Sequence, residues 1–135
     1  VSIIGIDLGA RRIGIAVSDS GIVATPHSVL RNEGDVIAKI ERLAEELEAA
    51  SFVVGLPRRM HASAAEQKFH DFAEQLRQRT CKPVVLWDES LSTVEASERL
   101  RASGRSRREA QQNIDMHAAA VILQSYLDDR HGRTP

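Results

Sequence analysis

Apolar and polar positions divide the chain into two kinds of segment. Val1 to Leu8 is apolar and rich in β-branched residues, interrupted only by Asp7 near its end. After Gly9-Ala10-Arg11-Arg12 the same pattern returns over Ile13 to Ser18. Gly9 and Gly14 suit a tight hairpin or a place where another group approaches the backbone closely. Asp19-Ser20-Gly21 turns the chain again, and Ile22 to Val29 predicts a third strand, with Pro26 marking an edge strand or a bulge. Three short strands in succession predict an antiparallel meander.

From residue 36 the period lengthens. Val36, Ile37, Ile40, Leu43, Ala44 and Leu47 recur at helical spacing, with Glu41, Glu45, Glu46 and Glu48 on the opposite side. Ser51 to Gly55 is a short apolar run ended by Gly55 and Pro57, as a buried parallel strand would be. A polar loop spans Arg58 to Ala62. Ser63 and Glu66 then have the spacing of a capping box for a helix to about Arg79. Pro83 to Trp87 predicts the next buried strand, with Asp88 and Glu89 at its carboxyl end. Ser92 with Glu95, and Ser106 with Glu109, predict a short helix ending before Gly104 and a final helix to about Asp129. The order β-β-β-α-β-α-β-α-α predicts one α/β domain over residues 1–135, a mixed five-stranded sheet with helices on both faces. The glycines lead from strand to strand, not from strand to helix, which argues against a dinucleotide-binding domain.

Composition narrows the class further. At 42% apolar and 27% charged residues, the chain suits a folded domain with a continuous core. The formal charge of -1 argues against binding driven by net charge alone and leaves room for a local basic patch. Cys81 is the single cysteine, so neither an intrachain disulfide nor a thiolate metal cluster is available. Nothing reads as a signal peptide or a membrane span, which gives the expectation of a cytoplasmic protein with no membrane partner.

The chemistry lies in the carboxylates. A buried carboxylate costs several kcal/mol unless a helix N-terminus, an arginine, a phosphate or a metal compensates it. Asp7 near the end of strand one, and Asp88 and Glu89 at the end of the last strand, would meet at one edge of the sheet, where ligands of open α/β sheets sit. On the last helix Asp115 shares a side with Ala119, Ile122 and Tyr126, which turns it toward the sheet. Converging carboxylates without thiolates or paired histidines are ligands for hard divalent cations such as Mg²⁺. Each has a plainer reading as well: Asp7 as a turn residue, Asp88 as a cap, Asp115 paired with Arg99 or Arg108.

Arginines form the second feature. Arg99, Arg101, Arg105, Arg107 and Arg108 crowd one stretch, and Arg11, Arg12, Arg58 and Arg59 occupy two loops at the same end. Guanidinium forks match phosphate oxygens, so these nine are candidates for holding a nucleic-acid backbone, against the alternative of a solvated basic surface. No aromatic ladder accompanies them, which leaves backbone and shape recognition.

The blocks GIDLGARRIGIAVSD, VVGLP, DESLST and IDMHAAAVILQSYLD, in that order, resemble the YqgF/RuvX family, bacterial RNase H-like proteins described as Holliday junction resolvases and as nucleases maturing the 5′ end of pre-16S rRNA. The resemblance implies an RNase H-like fold, with three antiparallel strands followed by parallel ones, and phosphodiester hydrolysis with one or two Mg²⁺ or Mn²⁺ ions. It maps the metal-binding acids onto Asp7, Glu89 and Asp115, with Asp88 adjacent as an alternative ligand or base. The implied substrate is structured RNA, pre-rRNA above all, presented by a ribosomal or processing partner. The alternatives are branched DNA resolved by a dimer and a non-catalytic nucleic-acid binder. No apolar helix face stands out as an interface, so a monomer or weak homodimer is expected. The chain departs from the family pattern at Ser90, usually arginine, at Arg58 to Ala62, and at Gln111 and Gln112, where lysine is common.

Overall fold

The computed structural model describes residues 2–57, 64–89 and 107–130. Five strands form one sheet in the order β3-β2-β1-β4-β5. They are β1 (Ser2–Leu8), β2 (Arg12–Ser18), β3 (Thr25–Arg31), β4 (Ala49–Pro57) and β5 (Val84–Glu89). β1, β2 and β3 pair antiparallel, whereas β4 and β5 run parallel to β1. The helices are α1 (Val36–Leu47), α2 (Ala64–Thr80) and α3 (Arg107–Arg130). The mixed five-stranded sheet predicted from the pattern is therefore present.

Period-two alternation sends the side chains of each strand to two different cores. Ile4, Ile6, Ile13, Ile15, Phe52 and Val54 pack with α1 and α2 on one face. Ile3, Ala16 and Val53 pack with Ala119, Ile122, Leu123 and Leu127 of α3 on the other. Helix α1 starts at Asp35, whose Oδ1 accepts the Ala38 N–H at 3.2 Å, and ends where Glu48 turns left-handed at φ 54°.

Helix α3 comes unusually near the sheet because three strands offer it a glycine. A Cβ on Gly5 of β1 would stand 2.7 Å from Leu123 Cβ, and one on Gly55 of β4 would stand 2.5 Å from Ile122 Cδ1. A Cβ on Gly14 of β2 would fall on the backbone carbonyl of Asp115. Gly14 is thus a site of close backbone approach, as expected, and the approaching group is α3. Gly9 serves the hairpin instead: its N–H donates to the Arg12 carbonyl at 3.0 Å.

Several boundaries differ from the pattern: β4 runs over Ala49–Pro57 rather than Ser51 to Gly55, β2 starts one residue early at Arg12, and β3 ends at Arg31 rather than Val29. β3 begins at Thr25 rather than Ile22, because Ile22 and Val23 lie exposed in the connection, where Ser20 Oγ accepts both of their N–H groups. Gln124 of α3 fixes that connection by accepting from the Ala24 N–H and donating to the Ile22 carbonyl. Pro26 does lie on an edge strand, beside the register shift between Ile15 and Ala16. β5 runs on through Asp88 and Glu89, which align with Leu56 and Pro57 of β4. The expected helix before Gly104 and the capping residues Ser63 and Ser106 lie outside the described residues.

Candidate functional site

The parallel strands β1, β4 and β5 all deliver their carboxyl ends to one edge of the sheet. Asp7, the second-last residue of β1, lies opposite Gly14 in the antiparallel register. Directly opposed residues share a face, and Gly14 lies under the Asp115 backbone, so Asp7 belongs to the α3 side. Asp7 is half-buried there and is engaged in interactions of its own. Asp7 therefore stands directly across the ladder from the glycine that admits the helix.

Pleat parity also separates the acidic pair. Trp87 packs on the α3 side, where its Nε1–H donates to Ser125 Oγ at 3.1 Å and its ring meets Tyr126 edge-on. Glu89 holds the strand position two beyond Trp87 and therefore has the same parity. Asp88 has the opposite parity, that of Leu86 on the α1 and α2 side, and is exposed. Backbone register brings the positions of Asp7 and Glu89 to the face that α3 covers, with Asp88 on the other.

Asp115 is held by a residue 103 positions away. The Arg12 Nε–H donates to Asp115 Oδ2 at 2.9 Å, with the arginine side chain 37% exposed and the aspartate 16%. Arg12 is thus a partner of Asp115 on the sheet, whereas Arg99 and the Arg108 side chain, the partners of the plainer reading, lie outside the described residues. Arg12 starts β2 on the same side as Gly14, which explains its reach to the helix. Among the described residues no three His, Cys, Asp or Glu side chains form a cluster, so the acidic set is placed here by register. The donors this edge offers are carboxylate oxygens, the set that suits a hard divalent cation.

The basic residues divide three ways. Arg11 lies exposed in the hairpin turn and Arg12 is half-buried beside Asp115. Arg107 and Arg108 begin α3, in a turn for which only the backbone is described. Arg58, Arg59, Arg99, Arg101 and Arg105 lie outside the described residues. The pattern gave no sign of Arg31, which ends β3 directly opposite Arg12.

This topology, a mixed five-stranded sheet with α3 on one face and α1 and α2 on the other, is an RNase H-like fold. The fold is shared with Thermus thermophilus RuvC in complex with a Holliday junction substrate, at a TM-score of 0.59 and 16% identity over 98% of both chains. A fowlpox virus resolvase solved with Holliday junction DNA matches at a TM-score of 0.57 and 6% identity, over 96% of this chain and 99% of that one.

The chain belongs to the RuvX family, whose model, described as "Holliday junction resolvase", matches residues 1–129. A relative from Anaeromyxobacter sp. (strain Fw109-5) is 46% identical, covering 95% of this chain and 97% of its own, and is named "Putative pre-16S rRNA nuclease". Relatives of the same name from Mycobacterium bovis (strain BCG / Pasteur 1173P2) and Lachnospira eligens are 43% and 38% identical, covering 94% and 95% of this chain and 78% and 97% of their own. No helix among the described residues is long and apolar enough to cross a membrane.

Proposed function

We propose that this protein is a divalent-metal-dependent nuclease that hydrolyses phosphodiester bonds during 5′-end processing of pre-16S rRNA. The observation that carries the reading is the register: Asp7 and Glu89 share a pleat face at one sheet edge, and Asp115 enters that face on α3 over Gly14. Asp7, Glu89 and Asp115 are the residues that would hold one or two Mg²⁺ or Mn²⁺ ions. Such ions, when bound, supply an activated water and stabilise the charge that develops on the leaving oxygen.

The protein's own groups prepare that site. Asp7 rides on a strand paired on both sides, so its carboxylate starts from a rigid backbone. Arg12 holds Oδ2 of Asp115, which fixes the carboxylate plane. Asp88, exposed and of the other parity, is the weaker candidate of the acidic pair. The expected products are a 5′-phosphate and a 3′-hydroxyl. Residues 1–135 act as a single nuclease domain in this reading, in the cytoplasm, on RNA presented by a ribosomal or processing partner.

The names of the curated relatives favour RNA, whereas the family description and the solved neighbours favour a junction. Junction resolution requires two sites related by a two-fold axis, hence a dimer. The test is cleavage of a 5′ precursor segment of 16S rRNA beside a synthetic four-way DNA junction, with the oligomeric state measured in both complexes. Faster cutting of the RNA by a monomer is expected. Symmetric cutting of the junction by a dimer, with the RNA spared, would replace this reading by the resolvase one. Binding of both without cutting under any metal would leave a binding protein.

A further inference from the structure

Next to the Arg12–Asp115 pair, a cleft of about 550 Å³ is lined by Arg11, Arg12, Val29, Arg31, Asn32 and Glu33, together with Ala10. Three guanidinium groups and one carboxylate line it, a surplus of positive charge in a protein whose formal charge is -1.

The geometry of the strands makes this surplus expensive. The Asn32 N–H donates to the Arg11 carbonyl at 2.8 Å, so residues 11 and 32 form a hydrogen-bonded pair. The next pair along, Arg12 and Arg31, is therefore a non-hydrogen-bonded one, the kind in which opposed side chains stand closest. Like charges directly opposite across a ladder destabilise it. Arg12 is partly neutralised by Asp115. Among the described residues the guanidinium groups of Arg11 and Arg31 have no carboxylate partner, and both are exposed. Two guanidinium groups without a carboxylate partner, beside a third in one cleft next to a proposed phosphodiester-cleaving site, form a receptor for the two non-bridging oxygens of a phosphate.

We propose that this cleft is a phosphate subsite: Arg31 and Arg11 grip a nucleic-acid backbone phosphate adjacent to the one being cleaved, and lead the strand across β2 and β3 to Asp115. The assignment rests on the nuclease reading for the direction of the strand and on the cross-strand arginine pair for the anion. Arg31 is a binding residue in this account, not a catalytic one. A phosphate in the cleft relieves the Arg12–Arg31 repulsion, so binding strengthens as salt falls.

The experiment is fluorescence-anisotropy binding of a labelled 16S precursor segment and of a four-way junction, in EDTA, to the parent, R31Q and a distant control, R130Q. R31Q is expected to bind about 5- to 10-fold more weakly, with the slope of log K against log salt reduced by about one. R130Q is expected to match the parent. Because R31Q removes a like-charge opposition, its melting temperature in the absence of nucleic acid should equal or exceed the parent's, which a merely structural arginine would not allow. Parental affinity and slope in R31Q would overturn the subsite. Competition by millimolar inorganic phosphate or a mononucleotide as effective as that by the polymer would assign the cleft to a small anion and overturn the strand path. Weakened binding by R31Q beside a parent that cuts nothing would keep the subsite and remove the nuclease. Unchanged binding beside a parent that cuts would do the reverse.

Discussion

Replacement of Asp7 by asparagine is expected to lower the rate of phosphodiester cleavage by at least about 10³-fold, equivalent to about 4 kcal/mol of lost transition-state stabilisation. Asparagine keeps the size and shape of the side chain and removes its charge, so the comparison isolates the carboxylate. The fold should survive, because Ile6 and Leu8 on either side anchor β1 in the core with α1 and α2, and the pairing with Gly14 involves backbone alone. Circular dichroism checks the fold and single-turnover cleavage checks the rate. E89Q and D115N should fall to a similar level. D88N should lose less than about 10-fold, because Asp88 is exposed on the opposite pleat face. D88N as inactive as E89Q would mean that β5 presents its acids in the other register.

The largest effect on stability is expected at Gly14. A methyl group there collides with the carbonyl oxygen and carbon of Asp115, both of them backbone atoms that no rotamer change moves aside. G14A must therefore lift the Asp115 turn of α3 or bend β2. Overpacking of this kind typically costs 1–3 kcal/mol, and with backbone on both sides about 3 kcal/mol is the expected loss. Urea unfolding measures it. The same displacement pulls Asp115 from Arg12 and from the face shared with Asp7, so cleavage should fall even in the fraction that remains folded. A loss below about 0.5 kcal/mol would show that α3 does not seat against β2 at this point.

These two residues also show what the sequence could and could not reveal. Asp7 stood out because a charge inside a β-branched run contradicts its surroundings, and the sheet class followed from three short strands giving way to alternating helical and apolar segments. The two-core organisation followed as well, since helices were expected on both faces and α3 takes one of them while α1 and α2 take the other. Gly14 could be flagged as a place of close approach, but the approaching atom comes from Asp115, about a hundred residues on, and no local pattern encodes that encounter.

The same reason hid the contact between Arg12 and Asp115, which lie 103 positions apart and meet only because α3 crosses β2. Asp88 and Glu89 could not be told apart from composition or spacing. The choice depends on pleat parity, which shifts with a one-residue change of register, and the expected end of the strand at Trp87 fell short of both acids. Arg31 escaped notice for a related reason. On its own it is an exposed arginine at a strand end, and it acquires meaning only from Arg12 across the ladder. Charge pattern along the chain locates basic stretches. Charge opposition between strands requires the fold.

The central claim is that the acidic edge under α3 works as a metal-dependent phosphodiesterase site, and removal of the metal tests it most directly. The measurement is the single-turnover cleavage rate of the 16S precursor segment by the parent protein in EDTA, then after addition of excess Mg²⁺ or Mn²⁺. The rate should fall to background in EDTA and return in full with the added ion, because three carboxylates without a cation offer repulsion to a phosphate and no activated water. Cleavage that continues in EDTA at the parental rate would contradict the account and require a nucleophile or base elsewhere in the chain.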